Sequence, residues 1–213
     1  MISPLLANCY LHILYRIWQR RHLKGKLQAL LVRYADDFVV MCRKDAEEPL
    51  NVVRHVLERL GLSLNEAKTH IVGASQASFN FLWFAIRMSR GIRTGKPYPH
   101  VCPADKSLMK IKTKLTQLTG RELTPIALEK IVGNVNRSLH GWVNYFHYRN
   151  SNLIMEKDKT HAEQRMRMHL MKRHKVKDRG VGGGRFPSVD LYRRYGLYKV
   201  PTAAGWKSAH AKV

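Results

Sequence analysis

Apolar residues near the start of the chain recur at helical spacing, with Leu6, Cys9, Ile13 and Ile17 forming one stripe. Ser3 and Pro4 suit the start of such a helix, serine as cap and proline in the first turn. Arg16, Arg20, Arg21 and His22 make its end basic, and Gly25 breaks the pattern. Two short apolar runs follow, Ala29 to Val32 and Phe38 to Met41, on either side of a compact acidic turn. They predict a β-hairpin over residues 28–42. A second helix opens near Asp45 with Leu50, Val53, Leu57 and Leu60 facing inward, and Gly61 marks its end. Residues 69–73 and 79–88 read as strands. In the latter, Phe79, Phe81, Trp83 and Ala85 share one face and Asn80, Leu82, Phe84 and Ile86 the other, so both faces should be covered.

The second half carries a different pattern. Residues 89–104 are rich in glycine, proline and arginine and read as a loop or short hairpin. Leu108, Ile111, Leu115 and Leu118 make a helical stripe within 105–119. Thr124-Pro125 opens another helix, with Leu128, Ile131, Val132, Val135 and Leu139 inside and a break expected at Gly141. Residues 142–148 continue as helix or tight turn, and Ser151 is placed to cap a long basic helix to residue 175. Gly180, Gly182, Gly183 and Gly184 suggest a flexible linker; no Lys-Ser/Thr ending is present to make a phosphate loop. Residues 188–213 carry Tyr192, Tyr195, Tyr198 and Trp206 among basic residues, a tail expected to fold weakly or only on RNA. The fold class is α+β, with segments at 1–88, 89–175 and 176–213.

Charge sharpens this division. The 213 residues hold 38 Lys and Arg against 15 Asp and Glu, a net charge of +23. Residues 1–84 contribute +4 of it and residues 85–213 contribute +19. An excess confined to one half points to a polyanionic partner. No run of eighteen apolar residues exists to span a membrane. The start of the chain lacks the order of a signal peptide. Cys9, Cys42 and Cys102 are odd in number and far apart, which argues against a disulfide framework and a Cys-x-x-Cys zinc site. Reduced thiols and a cytoplasmic location follow as the expectation, with nucleic acid as the association.

The chemistry concentrates at Asp36 and Asp37. Adjacent carboxylates between apolar strands repel one another and resist burial. A divalent cation compensates, because Mg²⁺ takes hard oxygen ligands from one or two carboxylates plus substrate phosphates. A plain solvated Asp-Asp turn is the alternative. The context Arg33-Tyr34-Ala35-Asp36-Asp37-Phe38 between two strands resembles the catalytic hairpin of reverse transcriptases, in the form found in group II introns. Further segments resemble that family in its order. Ile2-Ser3-Pro4-Leu5-Leu6-Ala7-Asn8 is similar to the stretch after its Pro-Gln-Gly loop. Leu62-Ser63-Leu64-Asn65-Glu66-Ala67-Lys68-Thr69 is similar to its next palm element and Phe81-Leu82-Trp83-Phe84 to its primer grip. Gly141-Trp142-Val143-Asn144-Tyr145-Phe146 is similar to its maturase domain.

The resemblance implies a partial right-hand-polymerase palm followed by an α-helical thumb and maturase domain. It makes Asp36 and Asp37 the metal-binding catalytic pair, and Lys68 the lysine facing the leaving pyrophosphate; a surface lysine is the alternative. Tyr34, Asn8, Phe81 and Trp83 would line the nucleotide and primer sites, although Tyr34 and Asn8 could equally pack or bond within the palm. Arg149, Arg165, Arg167, Lys172, Arg173 and Lys175 would bind RNA, while Trp142 and Phe146 fit the core better. Trp83 stands where the family usually has glycine, and Tyr15 where it often has aspartate. The implied activities are RNA-directed DNA synthesis with Mg²⁺ and help with intron splicing and mobility. The implied partners are group II intron RNA, a DNA primer or target, and a separately encoded N-terminal half. That half is expected because the chain starts past the strand that bears the family's first metal-binding aspartate, which leaves the two-metal site incomplete. A non-catalytic RNA-binding maturase module and a decayed fragment are the two other readings.

Overall fold

A β-hairpin and two helices make the core of the first unit, Met1–Leu82. The structure is a computed structural model and describes residues 3–204; the expected roles of Ser3, Leu6 and Trp206 fall on side chains or residues outside that description. Helix α1 spans Ser3–Arg20. Its buried face is not the expected one: Leu11, Leu14 and Trp18 are buried, whereas Cys9 and Ile13 are exposed. The helix is apolar around most of its girth, so periodicity alone cannot choose a face. Trp18 chooses it, because its indole N–H donates to the Ala29 carbonyl at 3.3 Å and that bond is buried. After a short helix α2 (Leu23–Lys26), strands β1 (Ala29–Tyr34) and β2 (Asp37–Cys42) pair antiparallel from Ala29 opposite Cys42 to Tyr34 opposite Asp37. Ala29 and Leu31 turn inward, and Leu30, Val32 and Tyr34 turn outward, the period-two pattern of a sheet buried on one face.

Helix α3 (Glu47–Arg59) adds Val53, Val56 and Leu57 to this core. Burying such a side chain fully is worth about 1.5–3 kcal/mol. The helix ends as predicted at Gly61, whose φ of +70° suits a residue without Cβ. Leu62 N–H then reaches Leu57 O and Gly61 N–H reaches Glu58 O, both at 2.9 Å, which closes the helix end. The strand expected at 69–73 does not form. Thr69 turns its N–H and hydroxyl back to Asn65 O, and Gly73 O is taken by Gln76 and Ala77, so local turns consume the groups a ladder would need. Strand β3 (Phe79–Phe81) ends this unit.

The second unit, Trp83–Val213, begins with β4 (Phe84–Arg90) paired antiparallel to β5 (Pro97–Pro103). The region expected as one strand over 79–88 is therefore two, broken at Leu82 and Trp83. Helices α4 (Asp105–Leu118), α5 (Leu128–Phe146) and α6 (Asn152–Arg173) form the main core with Leu115, Leu139, Met155, Met166 and Leu170 at its centre. Helix α5 runs straight through Gly141 rather than breaking there. A mid-helix glycine costs about 1 kcal/mol, and the buried Leu139, Trp142, Val143 and Phe146 around it outweigh that. Ser151 does not cap α6; its hydroxyl is buried without a partner.

The glycine-rich segment and the tail differ most from expectation. Residues Arg179–Arg185 form a short helix α7, capped by the Asp178 carboxylate accepting from Gly180 and Val181 N–H at 2.6 and 3.2 Å. Helix α8 (Ser188–Arg193) follows, and Phe186, Leu191, Leu197 and Val200 are buried in the main core. The described part of the tail, residues 188–204, thus folds on the protein itself. No described helix is long and apolar enough to cross a membrane.

One buried charge sets a pH dependence. Asp158 on α6 is fully buried and neither carboxylate oxygen has a hydrogen-bond partner. Burial pushes its pKa from 3.8 to about 7, against the pull of the Lys112 charge. The folded state thus favours the protonated acid. Its stabilising effect is complete below the unfolded value of 3.8 and is lost as pH rises through about 7. Burial holds His161 and His169 below the usual imidazole range, so they act oppositely, costing stability as pH falls below 6.5. The Asp158→Asn protein isolates the carboxylate. Its melting temperature should match wild type at acid pH and exceed it increasingly toward pH 8. A difference that stays flat across circular-dichroism melts at graded pH would show that Asp158 ionises normally.

Candidate active site and nucleic-acid interface

The hairpin tip is a two-residue turn made by Ala35 and Asp36, with Ala35 at φ +52°. Asp37 is the first residue of β2 and lies opposite Tyr34. The two aspartates are therefore adjacent but not equivalent: one sits in the turn, the other on the strand. Both are exposed, as is Tyr34 at 66%. Arg33 fixes the turn by donating to Ala35 O at 2.7 Å and to the Asn8 side-chain oxygen at 3.0 Å. Asn8 thus bonds within this unit and ties α1 to the hairpin tip.

Two exposed carboxylates on adjacent residues suit a hard cation, and no hydrogen bond or ion pair among the described residues engages either one. They can hold one Mg²⁺ with water or phosphate completing its shell. A two-ion site needs more. Among the described residues no three His, Cys, Asp or Glu side chains gather where one ion could bind. Glu66 is paired with Arg54 at 3.1 Å, and Asp45 accepts the Glu47 N–H at 3.1 Å at the start of α3. Lys68 lies exposed in a turn whose N–H bonds to Asn65 O at 2.9 Å.

Leu82 and Trp83 both have positive φ, +49° and +67°. Where two successive residues take positive φ, Asn-Gly is the usual choice. Trp83 occupies a conformation that costs a bulky L-residue about 1–2 kcal/mol. Its carbonyl accepts from Ala104 N–H at 2.9 Å and Ser107 Oγ at 3.5 Å, which holds the turn. Its ring is 52% exposed, with Lys110 Nζ 5.2 Å from the ring centre. Phe81 is half-buried. Phe84 packs with Tyr145, Phe146 and Tyr148 at ring separations of 5.7, 5.3 and 6.3 Å. Trp142 and Phe146 are buried, as core residues.

The basic helix α6 is used differently from the simple phosphate-facing picture. Arg165 donates to Thr116 O, Thr119 O and Thr119 Oγ1; Arg167 donates to Phe186 O and Ser188 Oγ; Arg173 donates to Thr124 O and Ile126 O. Lys172 and Lys175 are exposed. Arg149 donates to Tyr148 OH at 2.9 Å and its guanidinium lies 5.3 Å from that ring's centre. Sequence reasoning missed the internal duty of the three arginines. Helical spacing offered a signal: Arg165 follows the buried Ala162 by three residues, Arg167 precedes the buried Leu170 by three and Arg173 follows it by three, so they flank the core rather than the far side of the helix.

The reverse transcriptase (RNA-dependent DNA polymerase) family model matches residues 1–86. The group II intron, maturase-specific domain model matches residues 108–183. No curated protein matches the chain. The first match contains the Asp36–Asp37 hairpin, and the second covers α5, α6 and most of α4.

The strain at Trp83 can be measured by comparing two substitutions. At φ +67°, Trp83→Gly should be more stable than Trp83→Ala by about 1 kcal/mol. In an ordinary extended strand alanine would instead win by about 0.5–1 kcal/mol. Urea unfolding of the two variants distinguishes these orders.

Proposed function

The chain belongs to the family of group II intron reverse transcriptases and maturases, and from that premise we propose that it binds structured intron RNA and assists splicing. Residues 1–82 form part of a polymerase palm, and α4 to α6 form the thumb and maturase domain. The observation that carries the reading is the concentration of charge: residues 85–213 hold +19 and include the maturase-specific segment. Lys172 and Lys175 supply phosphate contacts, and exposed Tyr145 supplies an aromatic face for an unpaired base.

The hairpin carries the reverse transcriptase part of the proposal. Asp36 and Asp37 would hold Mg²⁺, which when bound stabilises negative charge on phosphate oxygens. Exposed Tyr34 borders that position and offers a surface to a nucleotide or to a DNA primer end. Lys68 would supply positive charge toward a leaving pyrophosphate. A two-ion site would need a further carboxylate beside this pair. The lone aspartate pair also supports a second reading, an RNA-binding maturase module without polymerisation of its own.

RNA binding is tested by filter titration of a transcribed group II intron at several salt concentrations. Each neutralised phosphate releases a counterion, so a log–log slope of roughly −4 to −7 is expected at about 0.7 per contact. Replacing Asp36 and Asp37 together by alanine should leave the slope unchanged. A slope near zero, or a strong effect of the aspartates, would remove the basic unit from RNA engagement.

Primer extension on an RNA template with Mg²⁺ or Mn²⁺ tests the other half. The isolated chain should extend no primer. Extension by clean protein that Asp36→Ala abolishes would mean that the chain completes its own site.

A further inference from the structure

We infer that the segment from the last residue of α7 onward, residues 185–203, is a built RNA-contact strap that presents arginine and lysine beside aromatic rings to unpaired bases and their phosphates. The inference rests on the RNA-binding reading above and locates a surface for it beyond the maturase-specific match, which ends at residue 183.

Folding of the strap is accounted for without its exposed cations. Phe186, Leu191, Leu197 and Val200 are buried. Arg167 of α6 donates to Phe186 O at 3.0 Å, and Ser188 Oγ donates to Glu163 at 2.7 Å. Tyr192 OH donates to the other Glu163 oxygen. Asn136 of α5 clamps the far end, donating to Gly196 O and accepting from Tyr198 N–H, both at 2.8 Å. His140 packs against Tyr198 with ring centres 3.7 Å apart, and the last bond runs from His147 Nε2 to Ala203 O at 2.9 Å.

Those anchors leave Arg185, Arg193, Arg194 and Lys199 exposed. Asp190 is the one acidic residue in the strap. No ion pair among the described residues involves any of the four cations. Two of them lie beside half-buried rings, Arg194 at 5.6 Å from Tyr195 and Lys199 at 5.9 Å from Tyr192, while Arg185 lies 5.8 Å from the buried Phe186. A cation next to a partly exposed ring pairs a phosphate donor with a stacking face, the combination that holds unpaired RNA. A lipid surface would need a broad apolar face on a basic helix, but α8 has six residues and buries its Leu191. The α6 arginines, by contrast, already donate to main-chain carbonyls and have less to offer phosphate.

The test uses the full chain and a fluorescein-labelled oligouridylate of about 12 nucleotides. Replacing Arg193, Arg194 and Lys199 by glutamine should weaken binding roughly tenfold or more and reduce the salt slope by about 2. The melting temperature should not move. Tyr195→Leu should weaken binding about fivefold or more even at high salt, with the slope unchanged, because stacking is not screened. If the triple variant keeps native affinity and slope while wild type binds intron RNA, the strap is not a contact surface and the general RNA-binding reading stands. If wild type binds neither RNA, both readings fall together. If the slope drops but Tyr195→Leu has no effect and heparin binding falls as much as RNA binding, the strap is a generic polyanion patch and the RNA assignment is overturned.

Discussion

Three guanidinium groups on one helix decide how the second unit is assembled. Helix ends leave main-chain carbonyls without partners, and each must be satisfied by something other than the helix itself. Arg165 takes Thr116 O and Thr119 O at the end of α4. Arg173 takes Thr124 O and Ile126 O in the turn that leads to α5. Arg167 takes Phe186 O at the start of the strap. These charge-assisted bonds are stronger than neutral ones, and their fork geometry requires each chain segment to arrive in one place. Helix α6 is thus a template as well as a core element. Its apolar side, with Met155, Met166 and Leu170, supplies burial, while the bordering arginines set direction.

The hairpin in the first unit applies the same logic on a smaller scale. A turn carrying two adjacent aspartates has charge repulsion and nothing apolar to bury. Arg33 compensates through main-chain and side-chain bonds, donating to Ala35 O and to Asn8. Its charge also lies near the acidic tip, which moderates the local negative field without consuming either carboxylate. The aspartates stay exposed because the strands beneath them are held by Ala29 and Leu31 on one face. Paired strands below and exposed carboxylates above are the features on which the proposed Mg²⁺ site rests.

Much of this was legible in the residues. Two apolar runs around an acidic turn fix the hairpin, and the stripe Leu108, Ile111, Leu115 fixes the inner face of α4. The misses have physical causes. On α1, apolar residues on several sides left the face to a single tertiary bond from Trp18. Gly141 was a plausible stop, but the packing around it is non-local and invisible to a local rule. Residues 69–73 had strand composition without a ladder partner. Asp36 and Asp37 were legible as a pair; the engagement of Glu66 by Arg54 and of Asp45 by the Glu47 N–H was not, since it depends on the folded geometry.

The internal bonds of the α6 arginines and the docking of residues 186–203 share one cause. Charge in a sequence is read as solvent-facing by default, yet a guanidinium at the edge of a core can satisfy several carbonyls at once. Arg165, Arg167 and Arg173 do so, and the tail then has main-chain groups to dock against. Glu163 extends the set by accepting from Ser188 and Tyr192, with Lys159 at 3.7 Å. Once the strap is held by these buried or half-buried groups, Arg193, Arg194 and Lys199 remain as charge that folding does not use. The surplus positive charge of the second unit therefore divides into cations that build the fold and cations that the built fold displays. Only the second kind can release counterions when a phosphate arrives.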